Sequence, residues 1–167
     1  RGSRRPGRGV TFLLDANVLI ALTVQEHEHH ERATTWASTL SNFSVCPIVE
    51  GALVRFLVRS GESSTTVATL IQRIRDLPSC EFWPDSISYA DVDFGHVTGH
   101  RQVTDAYLVS LARDHGAALA TLDEGLAISL PNDTLLVPQS AAESSSRIAS
   151  FGGSDPQASS APRHRRC

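Results

Sequence analysis

Short continuous apolar blocks alternate along this chain with stretches in which apolar residues recur every three or four positions. The blocks "VTFLLD" (10–15), "FSVCP" (43–47), "CEFWP" (80–84), "AALATLD" (117–123) and "DTLLVP" (133–138) have the length of buried strands. Between them, Ala33, Trp36, Ala37 and Leu40 fall on one helical face. Val67, Leu70, Ile71, Ile74 and Leu77 mark a second amphipathic helix. A helix is also predicted from Asn17 to about Thr23. Another, "IVEGALVRFLVRS" (48–60), has Pro47 suited to its first turn and is apolar almost all round, which signals burial or a subunit interface. "VTDAYLVSLARDHG" (103–116) reads as a helix capped by Thr104 and closed by Gly116. Strands alternating with helices predict an α/β domain around a mainly parallel sheet. In such sheets ligands bind beyond the carboxyl ends of the strands, so the chemistry is sought there.

The ends of the chain break this pattern. Residues 1–9, "RGSRRPGRG", are basic and aperiodic and read as a disordered lead-in; residues 139–167, rich in Ser, Ala, Gly and Pro, read as a disordered tail. That leaves one domain over residues 10–138, long enough to bury a core. No apolar run is of membrane-spanning length, and residues 1–9 lead straight into a strand-like block rather than a cleavable apolar region, so a cytoplasmic location is expected. Three cysteines without C-x-x-C spacing support neither a disulfide framework nor a cysteine zinc site.

Charge sharpens the question. The whole chain carries −3; residues 1–9 contribute +4 and residues 139–167 contribute +2, which leaves −9 on residues 10–138. A domain this acidic does not draw nucleic acid by bulk charge. If it acts on phosphates, the site must be neutralised locally, and a divalent cation would do so.

Four acids fall where the sheet rule points. Asp15 and Asp123 end the first and fourth strands, and Glu50 and Asp105 lie in the first turns of the helices at 48–60 and 103–116. Singly, each reads more readily as a turn former, a cap or an answer to the helix dipole. Together, on one edge of a sheet, they form a repelling cluster whose burial raises carboxylate pKa values and whose natural partner is a hard cation such as Mg²⁺ or Mn²⁺. Asn17 and Thr121 stand two residues from Asp15 and Asp123, placed to orient a carboxylate or a metal-bound water.

The segments "LLDANVLIAL", "CPIVEGALVRFL", "GHRQVTDAYLVSLA" and "LATLDEGL" together resemble the PIN domain, in particular VapC-type toxins of bacterial toxin–antitoxin pairs. The resemblance runs over residues 10–138 and implies a three-layer α/β/α fold with a short, mainly parallel central sheet. It implies a Mg²⁺- or Mn²⁺-dependent endoribonuclease cutting RNA such as tRNA or rRNA, leaving a 5′-phosphate and a 3′-hydroxyl, and neutralised by a VapB-type antitoxin. A homodimer is implied as well. By position, Asp15, Glu50, Asp105 and Asp123 match the acidic quartet, with Asp15 and Asp105 foremost as metal ligands and Glu50 and Asp123 as further ones, directly or through water. Asn17, Thr104 and Thr121 match its supporting polar residues. Two alternatives stand beside this reading: a catalytically silent binding module of an antitoxin–operator complex, and a stand-alone PIN-type nuclease of RNA processing.

The most conspicuous polar stretch is "QEHEHHERA" (25–33), with His27, His29 and His30. It lacks the H-E-x-x-H spacing of a zinc helix, because Glu31 stands four residues after His27. Its expected role is a rim of the RNA cleft, with His30 as the candidate contact. Arg101 and His100, just before Asp105, are further candidates for substrate contact, against the plainer reading of solvated surface residues.

Overall fold

The computed structural model describes residues 10–139. The expected disorder of residues 1–9 and 140–167 lies outside those residues. All five predicted strands are present: β1 (Thr11–Leu14), β2 (Asn42–Val45), β3 (Cys80–Phe82), β4 (Ala118–Thr121) and β5 (Thr134–Leu136). They form one sheet in the order β3-β2-β1-β4-β5, and every pairing is parallel. Parallel neighbours need crossovers, which the helices supply. These are α1 (Ala16–Thr23), α2 (His30–Ala37), α3 (Pro47–Arg59), α4 (Ser64–Arg75), α5 (Val103–Asp114) and α6 (Glu124–Ser129).

The core follows from the sequence blocks. Phe12, Leu13 and Leu14 of β1, and Leu119 and Ala120 of β4, are fully buried, as the central strands of a sheet covered on both faces must be. Trp36 of α2, Val49 and Leu53 of α3, and Leu108 and Leu111 of α5 close over them. The edge of the Phe12 ring meets the Trp36 ring at a centroid distance of 6.0 Å. No helix among the described residues is long and apolar enough to cross a membrane.

Three local features depart from the sequence pattern. Thr104 is not the cap of α5: a 3₁₀ turn, His100–Gln102, runs directly into the helix, and Gln102 at the cap position is already helical in φ and ψ. The Gln102 side chain instead accepts from the backbone N–H groups of Thr98 (2.7 Å) and Gly99 (3.3 Å), so glutamine braces this entry and Thr104 lies exposed. Gly116 does close α5, with φ of 65° in the left-handed region. Helix α6 has no counterpart in the apolar pattern; Asp123 caps it by accepting from Leu126 N at 2.9 Å.

The strand order places a topological switch point between β1 and β4. From β1 the chain builds outward through β2 to β3, and on the other side through β4 to β5. Crossovers leave a crevice at such a point, above the carboxyl ends of the two central strands. The register pairs Leu14 with Ala120, so Asp15 and Thr121 emerge side by side at its mouth.

Candidate active site

Asp15 is the most constrained of the acids. Its backbone N–H donates to Ala120 O at 2.9 Å, which extends the β1–β4 ladder to the first residue of the crevice. As the N-cap of α1, its Oδ1 accepts from Ala16 N at 2.6 Å. Its Oδ2 accepts from the Thr121 hydroxyl at 2.7 Å. The capping role and the site role thus use different oxygens of one carboxylate.

Thr121 is the hub of the site. Its fully buried hydroxyl donates to Asp15 and accepts from Asp123 N at 3.0 Å and Asn17 Nδ2 at 3.3 Å. Asn17 Oδ1 in turn accepts from Leu122 N at 3.2 Å. One hydroxyl and one amide therefore tie the first turn of α1 to the turn that presents Asp123. Thr121, expected beside Asp123, thus donates to the Asp15 carboxylate, and Asn17, expected beside Asp15, bonds Thr121 and Leu122 N.

The electrostatics group three of the acids. Burial is the main cause that pushes the Asp15 carboxyl up from 3.8 to about 6; the Thr121 hydrogen bond opposes it, and the Asp105 and Asp123 carboxylates add to it. Asp105, half-buried near the start of α5, is also raised, first by burial and then by Asp123, with His96 acting the other way. Its place in the first turn of α5 does not hold it down, because the 3₁₀ turn before it continues the helix and moves the free amides upstream.

Glu50 stands apart. It lies in the first turn of α3, but its Oε1 is 3.6 Å from an Arg75 guanidinium nitrogen at the end of α4. That oxygen is buried with no hydrogen-bond partner. Arg75 also covers the Phe82 ring at 3.7 Å, so the ion pair fastens α3 and α4 to the β3 side of the sheet. The charges that Glu50 perturbs are the thiols of Cys46 and Cys80, not the three aspartates.

The remaining candidates take separate places. His30 shares a 2.8 Å hydrogen bond between its Nδ1 and Ala21 O, which ties its ring to the end of α1. His27 Nδ1 accepts from His29 N, and His29 lies 3.7 Å from Glu28, so the histidine stretch is knit to itself. Arg101 and His100 are exposed in the 3₁₀ turn leading to Asp105. The sequence pattern did not single out Arg32, which donates to Val137 O and clasps the exit from β5 against α2.

An all-oxygen set of mutually repelling carboxylates is the donor chemistry of Mg²⁺ or Mn²⁺. Asp15, Asp105 and Asp123 fit that chemistry, since a cation would remove the repulsion that raises Asp15 and Asp105. Among the described residues, no three His, Cys, Asp or Glu side chains stand close enough together to hold an ion.

An α/β/α sheet with aspartates converging on its switch point is the form of the PIN domain, and that family matches residues 12–128. Among proteins of Mycobacterium tuberculosis, the chain is 50% identical over 130 residues to Ribonuclease VapC29, which covers 77% of this chain and 98% of that one. It is 39% identical to Ribonuclease VapC39, over 71% of this chain and 92% of the other, and 34% identical to Ribonuclease VapC38, over 68% and 86%. The fold is similar to the crystal structure of M. tuberculosis VapC20, a toxin that cleaves the sarcin–ricin loop, with a TM-score of 0.56 at 17% identity over 71% of this chain and 94% of that chain. The chain belongs to the PIN-domain family and, within it, to the VapC-type ribonucleases.

Two predictions follow from the geometry. Thr121→Val keeps the shape of the side chain but leaves Asp15 Oδ2, Asp123 N and Asn17 Nδ2 without their common partner. Such unpaired buried groups cost about 1–3 kcal/mol each, so a urea melt should show a loss of a few kcal/mol; an unchanged midpoint would deny Thr121 its linking role. The second prediction concerns pH. The folded state holds the Asp15 proton more tightly than the unfolded chain, so this contribution to stability is full below pH 4 and is lost as pH rises through about 6. The amount is about 3 kcal/mol. Melting in EDTA should show that decline, Asp15→Asn should flatten it, and Mg²⁺ or Mn²⁺ should raise the melting temperature far more at pH 7.5 than at pH 5.

Proposed function

We propose that this VapC-type endoribonuclease is a metal-dependent toxin that hydrolyses RNA phosphodiester bonds at the β1–β4 crevice, with Asp15, Asp105 and Asp123 as its catalytic acids. The observation that carries the proposal is the buried Asp15 carboxylate at the switch point, keyed by the Thr121 hydroxyl and raised by burial and by its neighbours Asp105 and Asp123. Asp15 and Asp105 would hold the cation, with Asp123 joining directly or through water. When bound, such an ion lowers the pKa of a water and offsets charge on the scissile phosphate and leaving oxygen. The chain's own residues set the geometry. Asp15 is held by Ala16 N and Thr121, Asp123 by Leu126 N, and the spacing between them by Asn17 and Thr121. Glu50 belongs to this scheme as a positioning residue, its carboxylate fastening α3 beside the crevice through Arg75.

RNA such as tRNA or rRNA is the proposed substrate, and a VapB-type antitoxin the proposed inhibitor. A core of −9 suits an inhibitor that presents a basic side chain to the aspartates. A homodimer would cover the apolar side of α3 and α4, where Val54, Val58, Val67, Ala68 and Ile71 line a groove of about 400 Å³.

The test is to map new 5′ ends in cellular RNA after inducing the protein beside its Asp105→Asn variant. Cleavage sites should appear with the unsubstituted chain, vanish with the variant although its fold is intact, and vanish on co-expression of the cognate antitoxin. Equal cleavage by Asp105→Asn would overturn the site assignment, and the absence of cleavage by either would favour a silent binding module.

A further inference from the structure

We infer that the segment between β3 and α5 stacks unpaired RNA bases on Tyr89 and Phe94 beside the scissile phosphate. This deepens the endoribonuclease reading above and rests on it. Five large apolar residues are notably exposed among those described; three are aliphatic, and the two aromatic ones, Tyr89 (47%) and Phe94 (41%), lie five residues apart in this one segment. Both are held rather than loose. The Tyr89 ring lies 4.8 Å from that of the buried Tyr107 on α5, which supports it from behind and leaves its outer side to solvent. Phe94 rides on a tight turn in which its carbonyl accepts from Val97 N and the Asp93 carboxylate accepts from Gly95 N, each at 2.9 Å. Asp93 is anchored in turn, 3.8 Å from Arg113 of α5.

The same turn reaches the site. His96, two residues after Phe94, interacts electrostatically with Asp105, and its Nε2 is buried with no hydrogen-bond partner. The backbone that lifts Phe94 into solvent therefore carries His96 inward toward a catalytic aspartate. Charge points the same way. Residues 94–104 contain His96, His100 and Arg101 and no acid, after Asp91 and Asp93 earlier in the segment.

The occupant is identified by shape and charge together. Exposed aromatic faces beside cationic side chains match a nucleic acid whose bases are unstacked, because every base offers a π-face and the phosphates seek the cations. In a duplex those faces are hidden. The rings would therefore take the unpaired bases next to the cut, with little demand on base identity.

The test uses the full chain carrying Asp105→Asn, titrated with a short oligouridine RNA containing one central 2-aminopurine, whose fluorescence is quenched by stacking. Quenching on binding is expected, and Tyr89→Leu with Phe94→Leu should remove it and weaken binding by roughly 5- to 100-fold. Tyr89→Phe and Phe94→Trp should keep both, and annealing a complementary strand should weaken binding as the leucine pair does. On the Asp105-intact chain the leucine pair should raise KM for unpaired RNA and leave kcat within about twofold. Unchanged quenching and KM in the leucine pair would overturn the inference, as would a switch from dimer to monomer with binding unaffected, which would assign the face to a second copy. If the unsubstituted chain cuts no RNA, the endoribonuclease reading itself fails; cleavage with an indifferent leucine pair removes the platform alone.

Discussion

The hydroxyl of Thr121 is the contact on which the site depends. At the end of β4 it meets three groups from two turns: the Asp15 carboxylate and the Asn17 side chain from one, and the Asp123 amide from the other. The parallel register of β1 and β4 makes this possible by setting Leu14 opposite Ala120, so that the next residues of both strands emerge together. A buried hydroxyl with one donated and two accepted bonds is fully used, and removing it strands several polar groups at once. The core beneath, with Phe12, Leu13, Leu119 and Ala120 fully buried, supplies the rigidity that keeps those two strand ends in place.

Asp15 and Asp105 are the strained part of this arrangement. Folding carries Asp15 out of water and sets it near Asp105 and Asp123, and the cost appears as a carboxyl that holds its proton to about pH 6. A fold that tolerates such repulsion keeps a place for positive charge. The same logic explains why an acidic domain can work on a polyanion: the charge that matters is local. Glu50 lies 3.6 Å from the Arg75 guanidinium, which sets it apart from Asp15 and its neighbours Asp105 and Asp123.

Much of this was legible in the sequence, and the misses have physical causes. The five strands were plain because each is a short apolar block between turn residues, and asking which acids end strands or begin helices singled out Asp15, Glu50, Asp105 and Asp123. Helix α6 escaped because its six residues show no apolar stripe, Ile128 being 80% exposed. The cap assigned to Thr104 failed because a 3₁₀ turn feeds α5, and the brace that matters comes from Gln102. The pairing of Glu50 with Arg75 joins residues on two different helices, which no local pattern reports. "QEHEHHERA" drew attention by composition, yet His30 is bound to the backbone of α1 and the other histidines to their own neighbours.

The central claim is that burial and neighbouring acids poise Asp15 for a cation. Carbon-13 NMR of the aspartate carboxyls, titrated against pH with and without Mg²⁺, measures this residue by residue. In EDTA, Asp15 should titrate near pH 6 and Asp105 above the ordinary aspartate range, and saturating Mg²⁺ should keep both ionised to markedly lower pH. An Asp15 that titrates near 4 in EDTA and does not respond to Mg²⁺ would contradict the account.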